Sequence, residues 1–109
     1  MRGEVYELPA PRGATGHEQR GRRFCVVIQT DQLENWNTWV IAPTTRTEPS
    51  GNLSMRFRPE IRINGERCFV LLDQMGAVDR TRLGSRVDMV SLQEMQDINA
   101  AICTLLGIA

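Results

Sequence analysis

The chain has 109 residues, with thirteen arginines, no lysine, thirteen acidic residues, one histidine and three cysteines. This length is that of one compact domain and excludes a catalytic domain joined to a separate binding domain, so residues 1–109 are interpreted as a single domain. An apolar fraction of 41% and a charged fraction of 24% exclude a disordered chain and a coiled coil. The formal net charge is zero, which argues against steering to duplex DNA by a global positive field.

The aliphatic runs of the chain, such as 26–28 and 70–72, are far shorter than the roughly 20 residues that a membrane span needs. The first residues contain no apolar segment of the kind that signal peptides carry. We therefore expect a cytoplasmic protein without a membrane partner. His17 and the cysteines at 25, 68 and 103 form no spaced ligand set, so we expect no metal and no cofactor, and we interpret the cysteines as small buried packing residues.

The first half of the chain reads as short strands separated by polar loops. A strand over 4–8 enters a long loop rich in proline, glycine and arginine, which ends at Arg22. The β-branched run over 23–30 predicts a buried strand, and 38–43 predicts a third strand that ends at Pro43. All thirteen arginines lie within residues 1–86, so the positive charge is concentrated there, and residues 87–109 contain only acidic charged residues.

The middle of the chain predicts a β-hairpin. Leu53, Met55 and Phe57 alternate with polar residues, which indicates a half-buried strand that continues through Ile61 and Ile63 beyond Pro59. The pair Asn64-Gly65 is a strong turn signal because both residues accept a positive φ. The returning strand is predicted over 67–73, giving at least five strands in all.

The C-terminal segment changes to a helical period. Ser91 and Glu94 are spaced as a capping box, and Gly107 is suited to end the helix. A helix is therefore predicted over 92–105, with one apolar face formed by Leu92, Met95, Ile98, Ile102 and Leu105. One further short turn or helix is predicted over 81–85. The fold class is thus mainly β, a β-barrel or sandwich covered on one side by a C-terminal helix.

Two loops collect groups that could handle phosphate. The first, over 16–23, holds a carboxylate, an amide and three arginines, and the second, over 44–47, holds clustered hydroxyls. Arginine forks and hydroxyl donors together suit phosphate oxygens, although the same composition is also that of two solvated loops.

Several motifs occur in a fixed order along the chain: RGEVY at 2–6, GxEQ at 16–19 followed by Arg23, APTT at 42–45, LLDQ at 71–74 and VDxxRL at 78–83. In this order and spacing the chain resembles the MazF/PemK (Kid) family of toxins. The resemblance implies a homodimeric SH3-like barrel related to the CcdB/Kid fold. It also implies a ribosome-independent endoribonuclease that cuts single-stranded RNA at a short sequence and leaves 2′,3′-cyclic phosphate and 5′-hydroxyl ends. A cognate antitoxin would silence this enzyme.

Carried over by position, the active-site arginine of the family falls on Arg23 and its threonine on Thr44, with Thr45 as the alternative. The loop with Glu18 borders the RNA groove, and we expect Glu18 to be catalytic. The residues expected to contact RNA are Gln19, Arg20, Arg22, Thr45, Arg46, Arg56 and Arg58. The residues do not decide the general base. Arginine stays protonated below pH ~12 and is a poor base, so the candidates are an unusual arginine, Glu18, His17 and a residue of the second subunit.

The resemblance has one departure, because Phe24 follows Arg23 where the family usually has proline. Phe24 is expected to be buried in the barrel or to stack on a base. Of the two tryptophans, Trp39 is expected in the core and Trp36 on the surface. Three other functions stay open: a non-enzymatic CcdB-like toxin that binds a protein target such as DNA gyrase, a peptide-binding SH3-like module, and a degenerate toxin that binds without cutting.

Overall fold

The computed structural model describes residues 1–9 and 23–108, and in these ranges it contains seven strands and two helices. The strands are β1 (Glu4–Glu7), β2 (Phe24–Val27), β3 (Thr38–Thr45), β4 (Glu60–Ile63), β5 (Glu66–Val70), β6 (Gly76–Asp79) and β7 (Arg86–Met89). The helices are α1 (Asn52–Phe57) and α2 (Leu92–Leu106). The described ranges also contain three short 3-10 turns, at Asp31–Leu33, Leu72–Gln74 and Arg80–Arg82.

The strands form one antiparallel sheet in the order β4-β5-β3-β2-β1-β7. The central strand is β3, which is eight residues long. One edge of β3 pairs with β2; its other edge pairs with β6 along Thr38–Ile41 and with β5 at Thr44 and Thr45. Both threonines therefore lie where β3 passes from one partner strand to another.

The two ends of the sheet approach each other and nearly close a barrel. The backbone N–H of Asn64, at the turn after β4, donates to the Asp88 carboxylate of β7 at 2.7 Å. The backbone N–H of Arg62 on β4 donates to Glu94 of α2 at 2.7 Å. This arrangement confirms the prediction of a mainly β protein, a barrel with a C-terminal helix.

Strand alternation divides the apolar residues between two faces. The interior face contributes Val5, Phe24, Val26, Ala42, Ile61 and Val70 to one core cluster, which α2 covers with Ile98 and Ala101. The outer face carries a second, smaller cluster, formed by Leu8, Cys25, Val27, Trp39 and Ile41. Even-numbered residues of β2 and β3 thus face the interior, and odd-numbered residues face outward.

The C-terminal helix follows its predicted signals. The Ser91 side chain accepts from the Glu94 N–H while the Glu94 carboxylate accepts from the Ser91 N–H, which is the complete capping box. Gly107 ends the helix in the left-handed conformation, at φ 71°. Leu92 departs from the predicted apolar face because it lies at the first turn, where its side chain is exposed.

The hairpin between β4 and β5 is also confirmed. Asn64 and Gly65 have φ of 51° and 83°, the positive values that this kind of two-residue turn requires. The returning strand ends at Val70 rather than residue 73, since Leu72–Gln74 forms a 3-10 turn. The turn predicted over 81–85 appears one residue earlier, at Arg80–Arg82.

The predicted strand through 53–58 is wrong, because Asn52–Phe57 forms the short helix α1. Alternation indicates a strand only if one face is buried, and here Leu53 and Met55 are 69% and 55% exposed. The segment finds no strand partner and packs beside α2 instead. The cysteine prediction is confirmed for Cys25 and Cys68 and wrong for Cys103, which lies on the exposed side of α2.

Candidate RNA-cleavage site

The predicted catalytic residues lie at two strand ends that are neighbours in the sheet. Arg23 directly precedes β2, and Thr44 and Thr45 are the last residues of β3. Glu18, Gln19, Arg20 and Arg22 lie outside the described residues, as does His17.

The register between β2 and β3 decides which threonine faces Arg23. Cys25 pairs with Pro43, so continuing the antiparallel register by two residues sets Arg23 opposite Thr45. Arg23 continues the extended course of β2, because on the β1 side its carbonyl accepts from the Leu8 N–H at 2.8 Å. Directly opposed residues have Cβ atoms about 4.5–5.5 Å apart. Arg23 and Thr45 therefore share the outer face, whereas Thr44 belongs to the interior face with Phe24.

The two hydroxyl groups also differ in their hydrogen bonds. The Thr44 hydroxyl donates to the Phe24 carbonyl at 3.1 Å, which uses its only proton within the protein. The Thr45 hydroxyl instead accepts from the backbone N–H of Thr47 at 3.1 Å. Within the described part of the chain, the Thr45 proton has no acceptor. Since phosphate oxygens bind donors, Thr45 is the better suited of the two hydroxyls.

Arg23 presents a charge that no described carboxylate neutralises through an ion pair. Its side chain is exposed, and no carboxylate of residues 1–9 or 23–108 forms an ion pair with it. Arg46, by contrast, pairs with Glu66 at 2.6 Å and lines a small pocket with Phe24 and Ile63. Phe24 is 7% exposed, which confirms the interpretation that it packs inside the barrel.

The other two predicted RNA contacts lie on helix α1 and its end. Arg58 forms two hydrogen bonds with Asp73, at 3.1 and 2.9 Å, and these hold the pKa of the Asp73 carboxyl below its usual range. Arg56 lines a groove between α1 and α2 with Asp97. In the described ranges, no hydrogen bond or ion pair joins either arginine to Arg23 or Thr45. The predicted strand over this segment is wrong, because Arg56 lies in α1 and Arg58 directly follows it; the contact of both arginines with RNA stays a prediction.

The tryptophans take the expected places, since Trp39 is buried and Trp36 is 58% exposed. Among the described residues, no group of three or more His, Cys, Asp or Glu side chains could hold a metal ion. No helix in the same ranges is long and apolar enough to cross a membrane.

The sequence reasoning missed a charged cluster beside Thr45. Phe69 of β5 pairs directly with Thr45, and the Arg67 guanidinium carbon lies 5.1 Å from the centre of the Phe69 ring. The signal was present in the sequence, because Arg67 and Phe69 alternate with Cys68 and Val70, which belong to the interior cluster, and so must face outward together; Phe69 is 5% exposed, with Arg67 over its ring.

Comparison with known proteins agrees with this architecture. The family model described as "PemK-like, MazF-like toxin of type II toxin-antitoxin system" matches residues 1–106. The chain belongs to this family. A Mycobacterium tuberculosis relative, Rv3098A/RVBD_3098A, whose name describes it as a candidate toxin, is 32% identical to this MazF-like chain over 99% of the chain and 98% of its own length.

Solved structures share the MazF-like fold at lower identity. An endoribonuclease from a mycobacterial species, solved in complex with its cognate antitoxin, has a TM-score of 0.79 and 19% identity, covering 100% of this chain and 96% of its own. The Mycobacterium tuberculosis toxin MazF-mt6 has a TM-score of 0.76 and 10% identity, covering 97% and 98%. The family-level prediction from the sequence is thus confirmed.

Proposed function

We propose that this MazF-like toxin is an endoribonuclease that cleaves single-stranded RNA at the outer-face pair formed by Arg23 and Thr45. The observation that carries the proposal is the face shared by Arg23 and the Thr45 hydroxyl at the ends of two adjacent strands; among the described residues, the arginine has no ion-pair partner and the hydroxyl proton has no acceptor. Membership of the family and the fold shared with endoribonucleases support the same reaction class.

The reaction that fits this pair uses the RNA's own nucleophile. The 2′-oxygen attacks the adjacent phosphorus, the P–O5′ bond breaks, and the products carry a 2′,3′-cyclic phosphate and a 5′-hydroxyl. The 2′-proton passes to a base, and a proton reaches the leaving O5′. Because the nucleophile belongs to the substrate, no metal ion is needed to generate one.

Arg23 and Thr45 then stabilise the charge that develops on the phosphoryl oxygens. The guanidinium N–H groups of Arg23 can donate to two oxygens at once, and the Thr45 hydroxyl can donate to one. Fixed donors of this kind typically contribute about 10²–10³ each in rate. Thr44, which the family position favoured, would instead anchor the end of β3 through Phe24. Glu18 is the proposed general base, with His17 and the partner subunit as the other sources.

The direct test is a gel assay with a mixed-sequence single-stranded RNA in EDTA. We expect discrete cuts with 5′-hydroxyl ends from the wild type, and a loss of about 10²-fold or more in Arg23→Ala. Arg82→Ala is the matched control, since Arg82 is another exposed arginine that forms no ion pair or hydrogen bond with a carboxylate of the described residues, and it should cut at the wild-type rate. Absence of cutting by a folded wild type, or equal losses in both variants, would overturn the proposal.

We further propose that the toxin acts in the cytoplasm as a homodimer and that an antitoxin with an acidic segment covers Arg23. The complex of a mycobacterial endoribonuclease with its cognate antitoxin supports the proposal of an antitoxin partner. Light scattering during gel filtration should give twice the 12.3 kDa chain mass. An acidic antitoxin peptide should bind the wild type and lose affinity for Arg23→Ala; a monomeric mass, or unchanged affinity, would contradict the respective statement.

A further inference from the structure

A cluster next to the proposed cleavage site has no part in the chemistry above. It comprises Arg67, Phe69, Glu48 and Glu60, and we refer to it as the arginine platform. Phe69 pairs with Thr45 on one side and with Glu60 on the other, so the platform continues the same cross-strand row on the outer face. Adjacent strands are about 4.8 Å apart, which sets the platform immediately beside Thr45.

The guanidinium of Arg67 is fixed from three sides. Its Nε donates to Glu60 at 2.7 Å, and its Nη1 and Nη2 donate to Glu48 at 3.5 and 3.2 Å. These N–H groups lie in the guanidinium plane, so the two carboxylates occupy its edges. The Phe69 ring lies against one face. The Arg67 side chain is nevertheless 46% exposed, which leaves the face away from the ring as its open surface.

This arrangement is a poor phosphate site. Phosphate binds arginine through the in-plane N–H fork, and here carboxylates already take that fork. Arg62, which reaches Glu60 at 3.7 Å, balances the second carboxylate, so the cluster has no surplus positive charge to attract a phosphate. The ring contact and the paired edges instead suit a flat, uncharged group stacked on the open face. In single-stranded RNA such a group is a nucleobase, since unstacked bases lie on aromatic rings and on arginine planes.

The carboxylates at the edges add a chemical preference. Carboxylate oxygens accept hydrogen bonds and donate none when ionised, so they recognise exocyclic amino groups. Adenine, cytosine and guanine carry such a group, whereas uracil has only carbonyl oxygens at the equivalent positions. The Glu48 carboxylate is accessible for this contact, because its side chain is 58% exposed.

We propose that the arginine platform is a nucleobase subsite for the nucleotide next to the scissile bond, and that it prefers an amino-bearing base over uracil. This inference rests on the proposed RNA cleavage. It assigns Arg67 as a specificity-determining residue that stacks on the substrate and takes no part in proton transfer.

The test compares Arg67→Leu with Arg62→Leu. Arg62 lies directly opposite Arg67 on β4, is exposed, and reaches Glu60 at 3.7 Å. Among the described residues no aromatic ring lies beneath it, so Arg62→Leu controls for the loss of a positive charge without the loss of a stacking surface. Substrates are RNAs that carry A, C, G or U on either side of a mapped cut. We expect wild-type kcat/KM to be lowest with uracil at one of these positions. Arg67→Leu should lower kcat/KM for the preferred base about 5- to 150-fold, equivalent to about 1–3 kcal/mol, and flatten the preference. Arg62→Leu should keep the preference.

Arg67→Lys keeps the charge without the planar fork and should also lose the preference, which separates stacking from misfolding. Binding of the same RNAs with a 2′-O-methyl group at the cut, followed by fluorescence anisotropy, reports the subsite without cleavage. A wild type that binds without base preference, or equal effects of the Arg67 and Arg62 variants, would overturn the inference. If the Arg67 variants bound the antitoxin more weakly but kept the wild-type base preference, the inference would also be overturned, and the platform would be assigned to antitoxin binding. Failure of cleavage alone, with base-selective binding retained, would refute only the proposed function.

Discussion

Replacing each threonine at the end of β3 by valine separates catalysis from strand anchoring. Valine keeps the shape of threonine but has no hydroxyl. Thr45→Val removes the donor that faces the same side as Arg23, so we expect kcat to fall by about 10²–10³. It also removes the bond from the Thr47 N–H, but that bond is exposed and water can replace it, so we expect little change in stability. Thr44→Val removes the 3.1 Å bond to the Phe24 carbonyl, so we expect a cost of about 0.5–1.5 kcal/mol in the free energy of unfolding with cleavage retained.

The two outcomes are measured on the same protein samples. Single-turnover cleavage of one RNA gives the rate, and thermal unfolding followed by circular dichroism gives the stability. For a chain of this size, 1 kcal/mol corresponds to a shift of about 4–8 °C in Tm. The reverse pattern, with cleavage lost in Thr44→Val and kept in Thr45→Val, would refute the register-based reasoning and restore the threonine that the family position favoured.

Three further outcomes follow from the described structure. Ile98→Ala empties a fully buried position between α2 and the barrel and should lower the free energy of unfolding by about 2–5 kcal/mol in a denaturant titration; a change under 1 kcal/mol would contradict that packing. Arg58 holds the pKa of the Asp73 carboxyl below its ordinary value of about 3.9, so the pair stabilises the fold above that pH and loses this contribution as pH falls through the lower folded value. Asp73→Asn should therefore flatten stability against pH in this acid range, and an unchanged profile would show that the pair contributes nothing. Burial raises the pKa of Cys25 to about 11, so iodoacetamide at pH 8 should modify the exposed Cys103 first, and peptide mapping that found Cys25 modified equally fast would contradict its burial.

The sequence predicted the structure correctly wherever a short segment determines its own conformation. The capping box at Ser91 and Glu94, the left-handed Gly107 and the Asn64-Gly65 turn all depend on neighbours within a few residues. Strands β6 and β7 were missed because they are short and partly polar. They form only because β3 and β1 offer free edges to pair with, which a single segment cannot reveal.

In the segment 52–57 the sequence predicted a strand that the structure does not contain. A five-residue alternation is compatible with a strand and with a short helix, and the choice depends on what the segment packs against. Here α2 is the neighbour, so Asn52–Phe57 is helical, and Arg56, which was expected to contact RNA from a strand, lines the groove between the two helices.

The candidate site was predictable in part. Arg23 and a threonine near residue 44 followed from the order of motifs, but sequence could not choose between two adjacent hydroxyls. That choice needs the register of β2 against β3, because a one-residue shift turns a side chain to the other face of the sheet. The arginine platform needed the same information, since Phe69 comes beside Thr45 only through the pairing of β3 with β5.

Titration of 15N-labelled protein with an uncleavable RNA tests most directly whether the outer-face site binds the substrate. The RNA carries the mapped cut sequence with a 2′-O-methyl group at the scissile nucleotide, so the nucleophile is blocked and the complex persists. We expect the largest amide shifts at Arg23, at Thr45 and at Phe69, and the loss of those shifts in Arg23→Ala. Shifts confined to the groove between α1 and α2, or binding that does not depend on Arg23, would contradict the assignment of this site.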